Sequence, residues 1–353
     1  MDRGDPRRSA AKRPGRATAA AGAGPGRRRR QNPCRLRPRA VTMTQPRLFC
    51  FGLGYTGLRL ARAAQAKGWR VAGTCRDASK AIALRCEGID TYLFDGRSPL
   101  SDAAEALAGT THLLCAVPPD AASDPVLRLH SKDIAALSAT LTWLGLLSTT
   151  GVYGDCGGAW IDQAQPPRPA TDDNRRRLAA ERDWLALGVQ LARPVSVLRL
   201  PGIYGPQGRS PIDALLAGRA RRIVKPGHVF NRIHVDDLVA VLAAAMERDC
   251  SGDRNGPHLY NVCDDEPAPA DEVLVYAANL LGMQPPPAEP FDTAALSDFA
   301  RHFYAESRRI RNDRIKQELG IMLRYPSYRE GLHAIAGAAT EIAPRDTGLR
   351  AGG

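Results

Sequence analysis

Short apolar runs alternate along this chain with longer stretches whose apolar residues recur at helical spacing, and the alternation starts near residue 47. Arg47–Phe51 is one such run, and Thr56–Lys67 after it carries Leu58, Leu60, Ala61 and Ala64 on one helical face. Further strands are predicted over Trp69–Thr74, Asp90–Phe94, Thr111–Val117, Trp143–Leu147 and Val195–Leu200. Helical segments lie between them, around Leu127–Leu141 and Arg175–Leu187. Strands alternating with helices from the start imply right-handed crossovers and an α/β fold with a doubly wound parallel sheet. No internal repeat is visible. From about Pro206 the order becomes less regular, and Pro285–Pro287 marks a loop. A smaller lid region is expected from residues 206–230 and 264–338, folded over the open edge of the sheet.

Where the first strand should turn into the first helix, Gly52, Gly54 and Gly57 spell G-x-G-x-x-G. In that setting the pattern points to a dinucleotide site. Gly52 makes the turn, Gly54 lets backbone approach a pyrophosphate, and Gly57 allows close helix-on-strand packing. Tyr55 and Thr56 open the helix, whose first amides and dipole face the anion. The domain reading follows: a Rossmann domain over residues 46–205 and a mixed substrate and lid region over 206–338. Rossmann elements return within 231–263, and residues 339–353 are expected to be a flexible C-terminus.

Charge changes the picture only at one end. The net charge is +12, but residues 1–42 hold thirteen Lys and Arg against Asp2 and Asp5, a net of +11, which leaves +1 for the rest. The basic signal therefore belongs to a tail over residues 1–45. Its Arg27–Arg30 run and its many Ala, Gly and Pro carry no apolar period and predict disorder. No signal-peptide core or membrane span is present in it, and its composition suits a transit peptide poorly. It is either an arm for RNA or a membrane surface, or sequence upstream of a start at Met43, four residues before the first strand. The second is the simpler reading. The folded body gives no reason to expect nucleic-acid or membrane partners. The eight cysteines form no C-x-x-C pair, as expected of reduced thiols in a cytoplasmic protein without a metal site.

Five segments occur in order: Gly52–Gly57, Ser148-Thr-Thr-Gly-Val-Tyr-Gly154, Leu200-Pro-Gly-Ile-Tyr-Gly-Pro206, Asn231-Arg-Ile-His-Val-Asp-Asp237 and Tyr260-Asn-Val262. Together they resemble the extended short-chain dehydrogenase/reductase superfamily, in its NAD-dependent epimerase/dehydratase group, over residues 46–335. The resemblance implies an NAD(P) cofactor and hydride transfer on a small carbonyl or hydroxyl substrate. It places Asp95 at the adenine edge and Ala116, Val117 and Pro118 under the nicotinamide half. An NAD site would put an acidic residue about 20 positions beyond the glycines. Cys75 stands there, flanked by Thr74 and Arg76. Arg76 suits the 2′-phosphate of NADP, and Asp77 is the alternative for the ribose of NAD.

The resemblance also implies a Ser or Thr that orients the substrate, a Tyr acid/base, and a Lys four residues after it. Thr149 takes the first place. Asp173 falls on the Tyr position and Arg177 on the Lys position, so the Tyr-x-x-x-Lys pair is missing. Arg177 can still hold ribose hydroxyls. Tyr153 is the nearest tyrosine for proton transfer, against a packed turn residue as its alternative. Asp173 is a candidate base, unless Asp172 caps a solvated helix start. His234, Asp236 and Asp237 are expected to be structural, with a helix over Asp237–Glu247. Sugar-nucleotide epimerases carry Arg four residues before this His. Phe230 stands there instead, with Arg232 nearer, which tells against a nucleotide sugar. The expectation is an oxidoreductase or epimerase, with a catalytically silent dinucleotide binder as the alternative and a homodimer left open.

Overall fold

In a computed structural model that describes residues 45–250 and 258–342, the first apolar run is a strand, β1 (Arg47–Phe51), buried along its whole length. Leu48 and Cys50 join one hydrophobic cluster while Phe49 and Phe51 join another. Both faces of the strand are covered, so its sequence is a continuous apolar run with no alternation. The chain continues through α1 (Tyr55–Ala66), β2 (Arg70–Cys75), α2 (Ala78–Cys86), β3 (Asp90–Leu93), α3 (Ala103–Leu107), β4 (His112–Cys115), α4 (Pro125–Ala136) and β5 (Trp143–Thr149). A 3-10 turn over Thr150–Tyr153 leads to β6 (Trp160–Ile161), α5 (Asp172–Leu191) and β7 (Val195–Leu200). Next come β8 (Gly202–Tyr204), α6 (Pro211–Leu216), β9 (Arg222–Val224), β10 (Arg232–His234), α7 (Val235–Cys250) and β11 (His258–Asn261). The last elements are α8 (Ala270–Leu280), β12 (Ala288–Pro290), α9 (Asp298–Ala305), β13 (Arg309–Ile310), α10 (Asp313–Leu319) and α11 (Tyr328–Ile342).

Seven strands form one parallel sheet in the order β11-β7-β5-β4-β1-β2-β3. This is the doubly wound α/β sheet expected from the alternation. Helices α1 and α7 bury Leu60, Ala64, Leu238 and Leu242 against one face. On the other face, α4 and α5 bury Val126, Ile134, Trp184 and Leu187. Strand order reverses between β1 and β4, and a crevice opens there at the carboxyl ends, where open α/β sheets bind ligands.

Helix starts differ from the pattern for identifiable reasons. Asp124 caps α4 by accepting from the amides of Val126 and Leu127, both at 2.9 Å, so the helix opens at Pro125. It ends at Ala136, five residues short of the expected Leu141. Thr171 caps α5, accepting from the Asn174 amide at 3.2 Å, which makes Asp172 the first helical residue and not the cap. The helix expected from Asp237 begins at Val235, and the Nδ1 of His234 accepts from the Asp236 amide at 3.2 Å.

Beyond β8 a third cluster forms, with Tyr204, Ile212, Leu215, Val273, Tyr328 and Leu332 at its heart. Its strands are two or three residues long and pair across long stretches of chain, as β12 does with β9 and β13 with β6. The basic tail, apart from Gln45, lies outside the described residues, as does the C-terminus beyond Ile342. Helix α11 runs to that residue, four into the stretch expected to be flexible. Among the described residues no helix is long and apolar enough to cross a membrane.

Candidate functional site

The crevice is a cleft of about 1560 Å³ running from the end of β2 to the end of β7. Gly52 adopts φ +97°, a left-handed conformation that glycine supplies without strain. A Cβ on Gly57 would stand 2.3 Å from the Gly52 carbonyl oxygen, so the helix can approach the turn only without a side chain. A Cβ on Gly54 would meet no protein atom within 4 Å and would point into free space. Gly54 is the N-cap of α1 and makes no side-chain cap, so the first amides of α1, including those of Tyr55 and Thr56, have no capping acceptor. A turn bare of side chains and an uncapped helix start fit a pyrophosphate. Thr74 holds the turn from below, its Oγ1 accepting from the Gly52 amide at 2.9 Å.

Arg76, Asp77 and Lys80 line the end of the cleft beyond β2. Arg76 is exposed and enters no hydrogen bond with the described residues. Asp77 caps α2, accepting from the Lys80 amide at 2.6 Å, while the Lys80 ammonium donates to the Leu53 carbonyl at 2.7 Å. The carboxylate is thus engaged, and two cations stand at the end of β2. Lys80 escaped the sequence reading; it lies in the first turn of α2, just inside the Asp77 cap and four residues after Arg76. Asp95 lines the same end and accepts from the Arg97 amide at 2.8 Å, a contact that holds its carboxyl below the usual range. Ala116, Val117 and Pro118 form the wall after β4, with Ala116 and Val117 each 3.3 Å from where a Gly52 side chain would begin.

At the other end stand Thr149 and Arg177. The Thr149 Oγ1 accepts from the Gly151 amide at 3.1 Å, which leaves the hydroxyl proton free to donate into the cleft. The Arg177 guanidinium enters no hydrogen bond with the described residues. Burial pulls its pKa down, opposed by the nearby Asp173. Asp173 lines the cleft rim but is exposed and ion-paired to Arg176.

Tyr153 is not brought to the cleft. Its ring is fully buried, because the 3-10 turn after β5 rotates it into the core. The phenol donates to Asn261 Oδ1 at 2.7 Å, and burial pushes its pKa up. Arg199 lies over the ring at 4.7 Å and pairs with Glu181 at 2.7 Å, with both charged side chains at or below 5% exposure. Ser148 donates to the same Glu181. This buried network knits β5, α5, β7 and β11 together beneath the turn, and makes Tyr153 the packed turn tyrosine that was the alternative in the sequence.

Across the cleft, the loop after β8 supplies Arg209, and α9 supplies Phe303. A smaller pocket of about 210 Å³ opens beside it, lined by Tyr204, Phe230, Arg232, Tyr304 and Tyr328 among others. Gly202, Ile203, Phe230, Asn231 and Phe303 belong to both spaces. Of these, Gly202, Ile203 and Asn231 stand in the segments that carry the resemblance, Phe230 was remarked on by itself, and Phe303 gave no signal in the sequence.

The chain matches no known family profile. It is 29% identical over 283 residues to Protein YeeZ of Escherichia coli K12, covering 78% of this chain and 94% of that protein. It is 30% identical over 315 residues to a 3-diazoavenalumate denitrifying reductase of a Streptomyces species, covering 79% of this chain and 96% of the relative. Among solved structures, a conserved protein of unknown function from Silicibacter pomeroyi is 47% identical, with a TM-score of 0.75 over 83% of this chain and 99% of its own. A candidate NAD-dependent epimerase/dehydratase from Methylobacillus flagellatus is 27% identical, with a TM-score of 0.60 over 84% and 99%. UDP-glucuronic acid 4-epimerase from Bacillus cereus, solved with NAD, shares the fold at 16% identity and a TM-score of 0.65 over 86% and 99%.

Proposed function

This chain belongs to the extended short-chain dehydrogenase/reductase superfamily, in its NAD-dependent epimerase/dehydratase group, and we propose that it works there as an NADP(H)-dependent oxidoreductase on a small carbonyl or hydroxyl substrate. One observation carries the proposal: a single cleft has the glycine turn in its middle, Arg76 and Lys80 at one end, and Thr149 with Arg177 at the other. The Streptomyces relative, by name a reductase, supports the redox reading.

Each end has its work. Arg76 and Lys80 meet the 2′-phosphate, and Asp77, occupied as a helix cap, leaves an NAD ribose poorly served. The amides at the start of α1 hold the pyrophosphate. Arg177 stands in for the absent lysine and binds the nicotinamide ribose. The bound dinucleotide supplies the hydride donor or acceptor. Thr149 donates a hydrogen bond from its hydroxyl to the substrate oxygen, and the Arg177 charge stabilises negative charge gathering there. Among the described residues Tyr55 at the glycine turn is the one tyrosine lining the cleft, so the proton for the oxygen comes from cleft water.

The test is a fluorescence titration with NADPH and NADH, followed by an absorbance screen of aldehydes and ketones for NADPH consumption. Tight NADPH binding with turnover of at least one carbonyl class is the expected result. NADPH binding without turnover on any class would make the chain a silent dinucleotide binder, and no binding at all would end the proposal.

A further inference from the structure

The small pocket beside the cleft combines two features that the dinucleotide does not require. Its walls are aromatic. Phe230 and Phe303 stack with ring centres 4.5 Å apart and 13° between planes, and Tyr304 meets Phe230 edge-on at 5.0 Å. Tyr204 and Tyr328 close the far side. Within these walls sits one guanidinium. Arg232 spends Nη1 on the carbonyls of Phe230 and Ala268, both at 3.0 Å. Among the described residues none accepts from its Nε or Nη2, and no carboxylate lies within ion-pair distance of it. Asp264, the main acidic neighbour, is 1% exposed, and burial pushes its carboxyl well above the usual range while the Arg232 charge opposes that rise. Arg232 itself is partly buried, and its remaining N–H groups, unmet by any acceptor among the described residues, are open to an anionic ligand.

We propose that this pocket is the substrate's anchoring site and that it takes a small aromatic carboxylic acid, its ring among Tyr204, Phe230, Phe303 and Tyr328 and its carboxylate on Arg232. The assignment rests on the oxidoreductase reading for the chemistry but not for the binding. Two free N–H groups on one planar fork match a carboxylate. Aromatic walls favour a planar ring by stacking and edge contacts. A volume of about 210 Å³ suits a single ring with a short arm. Direction follows from the shared wall. Thr149 pairs in register with Leu200, and Gly202 and Ile203, two and three residues on, line both spaces. A ligand anchored on Arg232 therefore points its other end toward Thr149.

The test measures binding by calorimetry on the full chain without substrate turnover, using trans-cinnamate, cinnamamide and hexanoate. Cinnamate should bind at least ten times more tightly than the amide, which lacks the charge, and than hexanoate, which lacks the ring. Arg232→Gln should abolish the preference for acid over amide. Because Arg232 also ties two backbone carbonyls, a second variant is needed. Phe303→Ala, at a side chain half exposed, should weaken cinnamate and cinnamamide alike by several-fold. Equal affinity for acid and amide in the unmodified protein would overturn the proposal, as would cinnamate binding unaffected by either variant. NADPH titration of the same samples keeps the two readings apart. Cinnamate failure with NADPH bound sinks only the acid pocket, and NADPH failure with cinnamate bound sinks only the redox assignment.

Discussion

The Tyr55 hydroxyl donates to the Pro206 carbonyl at 2.8 Å, closing a contact between the first residue of α1 and a loop 151 residues further on. The same ring carries Arg59 at 3.9 Å and Arg209 at 4.8 Å, and Arg59 donates to Gln207 Oε1 at 2.9 Å. Gln207 itself sits at φ +71°, a conformation that costs a non-glycine residue energy and persists only where neighbours hold it. The start of α1 and the loop after β8 are thus one assembly.

Tyr55→Phe removes that hydrogen bond and keeps the ring between its cations. Losing one such bond costs about 0.5–1.5 kcal/mol. If the loop helps enclose the cofactor, NADPH affinity should fall roughly two- to tenfold by fluorescence titration. Unchanged affinity would mean that the loop takes no part in cofactor binding.

Two glycine substitutions should part company. Gly57→Ala drives a Cβ to 2.3 Å from the Gly52 oxygen, and such overpacking costs about 1–3 kcal/mol, visible as a lower melting temperature. Gly54→Ala meets nothing in the protein, so its melting temperature should hold while NADPH binding fails. Retained NADPH binding in Gly54→Ala would place the pyrophosphate elsewhere.

Arg76→Ala should weaken NADPH far more than NADH. One charge-assisted contact is worth about 1.5–3 kcal/mol, or roughly ten- to a hundredfold in dissociation constant. Equal losses for the two cofactors would assign the ribose to another group.

Thr149→Ala and Tyr153→Phe test which hydroxyl serves the reaction. Removing a donor to a developing oxyanion typically costs about 10²–10³ in turnover, and Thr149→Ala should show that loss with cofactor affinity intact. Tyr153→Phe should keep turnover within about twofold and lower stability by about 1–3 kcal/mol, because Asn261 Oδ1 loses its buried donor. A large turnover loss in Tyr153→Phe would restore the catalytic role that its sequence position suggests.

Acid should destabilise this fold through His228 and His234. Both are buried, and burial lowers both pKa values from the ordinary value. Their contribution is complete above the unfolded value near pH 6.5. Below it the unfolded chain takes up protons that the folded one refuses, so stability falls until the lowered folded pKa is passed. Melting temperature should therefore drop between about pH 7.5 and 5.5. His234→Asn keeps an acceptor for the Asp236 amide and should flatten that slope, whatever its effect on the melting temperature itself. An identical slope would clear His234 of the effect.

The sheet was legible because β1, β4 and β7 are buried on both faces, which writes an apolar run into the sequence whatever the neighbours are. The glycine turn was legible because backbone geometry there excludes side chains. The short strands outside the sheet were not, since β6, β9, β12 and β13 have two or three residues each, too few to show a period. The sequence leaves Tyr153 between a proton-transfer role and a packed turn, because a single turn of 3-10 helix decides which way a side chain faces. Arg232 was noted in the sequence beside Phe230, but its place in a pocket shows only through Phe230, Ala268 and Phe303, drawn from three separate segments.

Helix α9 has eight residues, lies far from the sheet in sequence, and places Phe303 on the wall common to both spaces. On the proposed function, the dinucleotide contacts fall to strand ends and the glycine turn, and the ligand wall to this short piece. On that reading selectivity can drift or be re-engineered by exchanging a few positions on α9, while the cofactor half of the molecule is inherited unchanged.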